Sequence, residues 1–285
     1  MVSSTSASSC SNCGEDLQGP FCHQCGQDDK QYTRSLLRLI PEFFGELSNW
    51  DNRLWRTLAP LWIRPGYLSR RYVDGHRAPY VPPLRLYIFT SIVAFLVFAL
   101  AIPYEPPTGI ETGAAPAFGA PSVHLPILSE DLNASVNTKL ARLIENPELG
   151  ISRFFSLAPQ VMFLLLPMLA LLLKVIYLSR RHYYIEHLIL ALHSHSFLLQ
   201  WAMLAIGFAK LIALVQPWPA IAVALGWLFN LYLWSAPIYL LLSQKAFYRQ
   251  SWGITLVKFS AIGALYSLTF SFALVATIVI SILRS

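Results

Sequence analysis

Two C-x-x-C pairs stand close together in the stretch CSNCGEDLQGPFCHQCGQ, where Cys10, Cys13, Cys22 and Cys25 are all the cysteines of the 285-residue chain. The two-residue gap turns both thiolates of a pair toward one metal ion. The glycine after each pair, Gly14 and Gly26, permits the tight turn in which backbone N–H groups point at sulfur. Four thiolates fill a tetrahedral shell, so the expected chemistry is structural binding of one zinc per chain, with no open position for catalysis. So short a segment has no core of its own, and metal binding would be its folding energy. Two disulfides or a redox C-x-x-C compete with this reading. The first needs an oxidising compartment, and the second a strand–helix setting that is absent here. His23 reads as a solvated loop residue.

The second chemical feature is YYIEHLILALHSHSFLLQ, which carries Glu186, His187, His193, His195 and Gln200 within an apolar run. At about 100° per residue, His182, Glu186, His193, Ser196 and Gln200 fall in a sector roughly 80° wide, so the polar groups form a stripe. In a spanning helix beginning near Tyr184, His193 and His195 lie about nine to eleven residues deep, near the bilayer midplane, where polar groups must face protein or water. Three readings stay open. Neutral histidines could hydrogen-bond across helices, with Asn230 or Ser235 as partners. They could relay protons or ions through the near-neutral titration of imidazole. Or they could hold a metal, against which successive odd helical positions diverge by about 200°, separating His193 from His195.

The third feature is GHRAPYVPPLRLY. Arg71, His76, Arg77 and Arg85 crowd one stretch, Pro79, Pro82 and Pro83 hold the chain extended, and Tyr80 and Tyr87 suit an interface. The group could form a headgroup-binding collar, or serve as ordinary positive-inside anchoring. No Walker A loop, G-x-S-x-G, H-E-x-x-H or Rossmann fingerprint accompanies these features.

These side chains must be positioned by helices in lipid. The chain is 55% hydrophobic and 13% charged, with a mean hydropathy of +0.50, whereas a soluble domain carries about a quarter charged residues. Five segments suffice to cross a core of about 30 Å: roughly 84–103, 156–178, 184–206, 219–243 and 254–282, with the third extending to Val215 if Lys210 snorkels. Ahead of them lie a disordered leader at 1–9 and the ribbon at 10–29. Two amphipathic stretches follow within 30–83, from Tyr32 to Arg64: Leu36, Leu37, Ile40, Phe43, Phe44 and Leu47, then Leu54, Trp55, Leu58, Leu61 and Trp62. They are read as lying on the inner leaflet, packing on the bundle, or both, with Pro41 kinking the first. Residues 104–153 form the only long loop, Pro/Gly/Ala-rich at first and then a short polar helix near 129–145. The fold class expected is an all-α integral membrane protein, with five spans, amphipathic cytoplasmic helices and a small N-terminal zinc ribbon held by four cysteines.

Ten of the 21 Lys and Arg fall between Lys30 and Arg85. With the N-terminus in the cytoplasm, these ten stay inside with Arg180, Arg181, Lys245 and Arg249, while Lys139, Arg142, Arg153, Lys210 and Arg284 fall outside. The expected topology is N-in and C-out. A net charge of +6 dispersed at the flanks of apolar runs argues for anionic lipid headgroups and against nucleic acid. No basic n-region and apolar h-region open the chain, so a cleavable signal is not expected. No internal repeat is visible, which weakens a transporter reading.

CSNCGEDLQGPFCHQCGQ, RPGYLSRRYVDGHRAPYVPPLRLYIF, YYIEHLILALHSHSF and LSQKAFYRQSWGITLVKF, in this order, resemble a bacterial family catalogued as domain of unknown function 3667. The resemblance runs from Cys10 to about Phe259. It implies a cytoplasmic zinc ribbon fused to a polytopic inner-membrane domain, with no agreed activity. The layout is also similar to zinc-ribbon membrane proteins of the paraquat-inducible A type, which work beside lipid-transfer machinery. The function expected is a non-enzymatic membrane module, in which the ribbon docks a protein partner while the bundle handles or senses a lipid or small solute. A proton-coupled transport component and an intramembrane metalloenzyme acting on lipids are the alternatives, and an oligomer is compatible with any of them.

Overall fold

The computed structural model describes residues 9–28, 53–101, 129–131, 133–134, 137–138 and 147–283. The leader, the amphipathic stretch from Tyr32 to Leu47 with Pro41, and most of the 104–153 loop lie outside the described residues. Seven named helices follow the ribbon: α1 Arg53–Ile63, α2 Tyr67–Val73, α3 Pro83–Ala101, α4 Pro147–Ile176, α5 Tyr184–Leu214, α6 Pro219–Tyr248 and α7 Trp252–Leu283. Five are long and apolar enough to cross a membrane: α3, Ser156–Ile176 of α4, α5, α6 and Trp252–Thr277 of α7. Their starts fall within two residues of the expected ones, while the last three end at Leu214, Tyr248 and Thr277 against the expected 206, 243 and 282. The third runs to Leu214, as Lys210 near its end allows.

The chain divides into two compact units, Met1–Ala94 with Leu166–Tyr266, and Phe95–Leu165 with Ser267–Ser285. The second contains the far ends of α3 and α7 and the first part of α4. Within it, Phe95 and Phe98 meet edge to face, and Leu96, Leu100, Phe163, Leu164 and Phe272 are exposed apolar side chains, as lipid-facing positions require.

The first unit holds the ribbon, α1, α2 and the chemistry-bearing part of α5. Along α5, residues 185–199 are buried at nearly every position, whereas none of 201–214 is. Along α6 the order is reversed, with no buried residue from 219 to 235 and six buried between Ala236 and Tyr248, one face of that half. Each helix therefore has one half clothed in protein and one half bare and apolar. The clothing comes from α1 and α2 on one side and from Leu173, Tyr177 and Ile262, packed with Leu190, Phe247 and Tyr248, on another. Leu61 and Leu68 pack with Leu86 of α3, Phe197 of α5 and Tyr239 of α6, and the Tyr239 hydroxyl donates to the Leu61 carbonyl. The corner between α1 and α2 is Gly66 at φ +72°, where a Cβ would come within 2.5 Å of the Ser243 carbonyl oxygen. Only glycine allows this approach.

The second amphipathic stretch thus packs on the bundle, one of its two expected placements. At about 1.5 Å per residue, the 31 residues of α5 reach about 46 Å, some 16 Å more than an apolar core of about 30 Å, and His193 and His195 lie in its clothed half.

Candidate functional site: a thiolate centre clamped to an arginine collar

The four cysteines come together. Their sulfurs lie within 4.8 Å of one another, with Cys10 to Cys25 at 3.7 Å and Cys13 to Cys22 at 3.5 Å. A regular tetrahedron with metal–sulfur bonds of about 2.3 Å has edges of about 3.8 Å, so the cluster could hold a metal ion. All four are free thiols, Cys10 and Cys22 being buried.

The ribbon is built twice. Cys10 N–H donates to Glu15 O and Gly14 N–H to Cys10 O; twelve residues on, Cys22 N–H donates to Gln27 O and Gly26 N–H to Cys22 O. Bridges Ser9–Asp16 and Phe21–Asp28 close the two arms. Gly14 and Gly26 have φ of +82° and +72°, the left-handed conformation that the turn after each knuckle needs. Backbone N–H groups are aimed at sulfur. That of Cys25, helped by Gln24, holds the Cys22 thiol down at about 7. The Glu15 N–H pulls Cys13 the same way, but burial and the three neighbouring thiols outweigh it and push Cys13 up to about 12. Thiols so crowded cannot all become thiolates unless a cation neutralises them.

A residue absent from the expected site joins this centre to the collar. The Gln27 carboxamide nitrogen donates to the Gly75 carbonyl at 2.7 Å and to the Ser11 hydroxyl at 3.0 Å. Its oxygen accepts from the backbone N–H groups of Arg77 at 3.0 Å and Ala78 at 3.1 Å. Gly75, at φ +98°, sits so close that a Cβ would meet the Ser11 side chain at 2.9 Å. One buried amide therefore fixes the ribbon on residues 75–78. Only the glycine and proline punctuation of DGHRAP hints at this loop, and nothing in it points to Gln27.

The collar arginines are largely engaged within the protein. Arg77 donates from Nε to the Tyr72 carbonyl at 3.2 Å and lies over the Tyr72 ring. Arg71 and Arg64 both lie over the Tyr67 ring. His76 is held below the ordinary imidazole range by burial first and by the Arg71 charge second, with Asp74 opposing. Arg85 at the start of α3 has its Nε buried.

The polar stripe of α5 meets a different element at each level. His182 pairs with Glu186. His187 Nδ1 is 2.6 Å from the Tyr248 hydroxyl, and Tyr248 stacks on Tyr177 at 3.5 Å. His193 Nδ1 is 2.9 Å from Ser69 Oγ of α2. His195 Nε2 is 2.7 Å from Tyr266 Oη of α7, its Nδ1 facing the Ala191 carbonyl. Gln200 accepts from Trp62 Nε1 of α1 at 2.8 Å and approaches Thr90 Oγ1 of α3 at 3.4 Å. The expected partners are thus replaced: Asn230 donates to Gly226 on its own helix, and Ser235 serves Trp201. Among the described residues, the cysteines form the one group whose donor atoms converge for a metal. Glu186, His187, His193 and His195 do not converge.

The comparison with known families falls on the element that clothes the stripe. Residues 51–95 match the family described as "Protein of unknown function (DUF3667)". The DUF3667 match takes in α1, α2, the collar and most of α3, and contains RPGYLSRRYVDGHRAPYVPPLRLYIF. The other stretches carrying the resemblance lie outside it. No curated protein and no solved structure matches the chain.

Proposed function

We propose that the chain is a non-enzymatic module of the bacterial inner membrane, with its N-terminus in the cytoplasm and its C-terminus outside. In this reading Cys10, Cys13, Cys22 and Cys25 hold one structural zinc. The ribbon offers its outward side to a protein partner, and the clothed half of the bundle handles or senses a lipid or small solute. The observation that carries it is the Gln27 clamp. Its side chain bonds Ser11 on the ribbon and Gly75, Arg77 and Ala78 on the collar, a few residues before α3 begins at Pro83. Whatever loads the ribbon with metal or with a partner acts at the root of the first span.

The lipid and partner are best identified together by what copurifies with the full chain in mild detergent. Association of one protein species with the native chain, lost in the Cys10→Ser/Cys13→Ser variant and retained in Glu186→Gln, is the expected result. Equal association with both variants would remove the ribbon as the docking element. A relay through Glu186 and the histidines is the second reading. It is favoured by His187 Nε2 and His193 Nε2, which are buried without a hydrogen-bond partner among the described residues, and such nitrogens call for water or a solute.

A further inference from the structure

A pocket of about 430 Å³, lined by Arg56, Ala59, Pro60, Ile63, Arg64, Pro79 and Tyr80, lies beside the clamped collar. Its volume is within the range that holds a small ligand. One wall is a flank of α1: Arg56, Ala59, Pro60, Ile63 and Arg64 span about 140° of its circumference, with the two guanidiniums carried about 12 Å apart along the axis. The other wall is the extended collar at Pro79 and Tyr80. A buried staple holds the walls in register, since the Thr57 hydroxyl donates to Arg53 O at 2.7 Å and accepts from the Val81 N–H at 2.9 Å. The Tyr80 hydroxyl is within hydrogen-bonding reach of Tyr67 and Arg71, and Arg71 Nε is buried without an acceptor among the described residues.

Charge decides the ligand class. From Arg53 to Arg85 there are seven arginines and one acid, Asp74. Asp74 is already paired with Arg70 at 3.0 Å. Arg56 and Arg64 are exposed and, among the described residues, take part in no ion pair. Guanidinium is the side chain best shaped for phosphate oxygens. Position decides the source. Trp55 is 73% exposed and Ile63 75%, on the side of α1 turned away from Leu61. Large apolar groups beside basic ones on an outward helix face are the signature of a helix at headgroup depth.

We infer that Arg56 and Arg64, with Tyr80 opposite, form a binding site for the phosphodiester of an anionic membrane lipid, whose glycerol end rests on Ala59, Pro60, Ile63 and Pro79. This rests on the lipid-handling reading above and names its ligand class. A zwitterionic headgroup fits less well, because its ammonium would face arginines with no lining carboxylate to receive it. The site differs from the expected collar of Arg71, His76, Arg77 and Arg85, whose groups are turned to internal work.

The test uses the full chain in a neutral detergent, with tryptophan fluorescence as readout, since Trp55 and Trp62 are chain neighbours of the lining residues Arg56 and Ile63. The probes are dioctanoyl phosphatidylglycerol, dioctanoyl phosphatidylcholine, glycerol phosphate and inorganic phosphate. Saturable binding of the phosphatidylglycerol is expected, at least tenfold tighter than the phosphatidylcholine. Arg56→Gln/Arg64→Gln should weaken it tenfold or more, and Arg53→Gln, outside the lining, should leave it within twofold. Equal binding of both lipids overturns the charge argument. Equal binding of glycerol phosphate or inorganic phosphate overturns the lipid source. Unaltered binding in the double variant overturns the site. The zinc content and partner association of that variant should be unchanged, which separates failure here from failure of the module itself.

Discussion

The Ser69 hydroxyl lies 2.9 Å from Nδ1 of His193, across 124 positions of sequence. Both residues are buried, at 1% and 3% exposure, so the bond ties the seven-residue α2 to the clothed half of α5 inside the packed protein. Ser69→Ala leaves an imidazole nitrogen stranded and should cost about 1–3 kcal/mol. Removing both partners with Ser69→Ala/His193→Leu should cost less than the sum of the two single changes. Thermal unfolding in detergent measures both. An unchanged midpoint for Ser69→Ala would mean that the bond contributes nothing.

Metal removal should unfold the ribbon and leave the bundle intact. Native protein is expected to carry about one zinc per chain, lost in Cys10→Ser or with a strong chelator. Limited proteolysis should then cut within residues 9–28, with the far-ultraviolet helical signal little changed. Helix loss in parallel with zinc loss would show that the metal supports more than its own knot.

The Gln27 clamp can be weakened without touching a thiol. Gln27→Glu keeps the size and the acceptor oxygens but abolishes donation to Gly75 and Ser11, and it sets a negative charge against the Gly75 carbonyl. A loss of about 1–3 kcal/mol would speed amide exchange at Arg77 and Ala78 by roughly fivefold to somewhat over a hundredfold. Zinc content should not change. Exchange as slow as in the native chain would mean that the ribbon is held in another way.

Acid should loosen the collar through His76. Burial and Arg71 hold this imidazole below its ordinary 6.5, so the folded chain binds fewer protons than the unfolded chain beneath that value. The neutral form's stability is fully present above about pH 6.5 and is lost as the pH falls toward the folded value, beyond which the loss levels off. Asp74 and Arg71 are the charged groups that set the size of the effect. His76→Gln should flatten the unfolding midpoint between pH 7 and pH 5. An identical pH profile in the variant would refute the assignment.

The Thr57 staple should govern the arginine pocket from behind. Thr57→Val preserves shape but strands the Val81 N–H, so the two walls lose their register. Phosphatidylglycerol binding should weaken severalfold, and Thr57→Ser should restore most of it. Equal loss in the serine and valine variants would point to packing alone.

What could be read from the chain depended on how local its cause was. Cys10 to Cys25 were legible because ligand spacing acts across a few residues, and the five spans because composition decides whether about twenty residues prefer lipid. The polar stripe on α5 was legible as a stripe, since helical periodicity fixes it. Its partners were not. Ser69 sits in an arginine-rich stretch that resembles membrane surface, and only the close seating of Gly66 against Ser243 brings it to His193. Hydropathy counts apolar residues without distinguishing protein neighbours from lipid, so it does not tell that the first half of α5 is covered by protein while the second is bare. Gln27 stayed hidden because a glutamine after a C-x-x-C-G turn has no local signature.

The two arms of the ribbon, twelve residues out of step, are nearly interchangeable objects, and a nearly symmetric plug could seat in its socket either way round. Position 27 is glutamine, while its counterpart is Glu15, a carboxylate that accepts hydrogen bonds but has none to give Gly75. Against Gly75 the first arm brings the small Ser11, where the second would bring His23 into a space with no room for an imidazole. Amide against acid and hydroxyl against ring make a key with one orientation, so the duplicated knot can be assembled twice yet inserted only once.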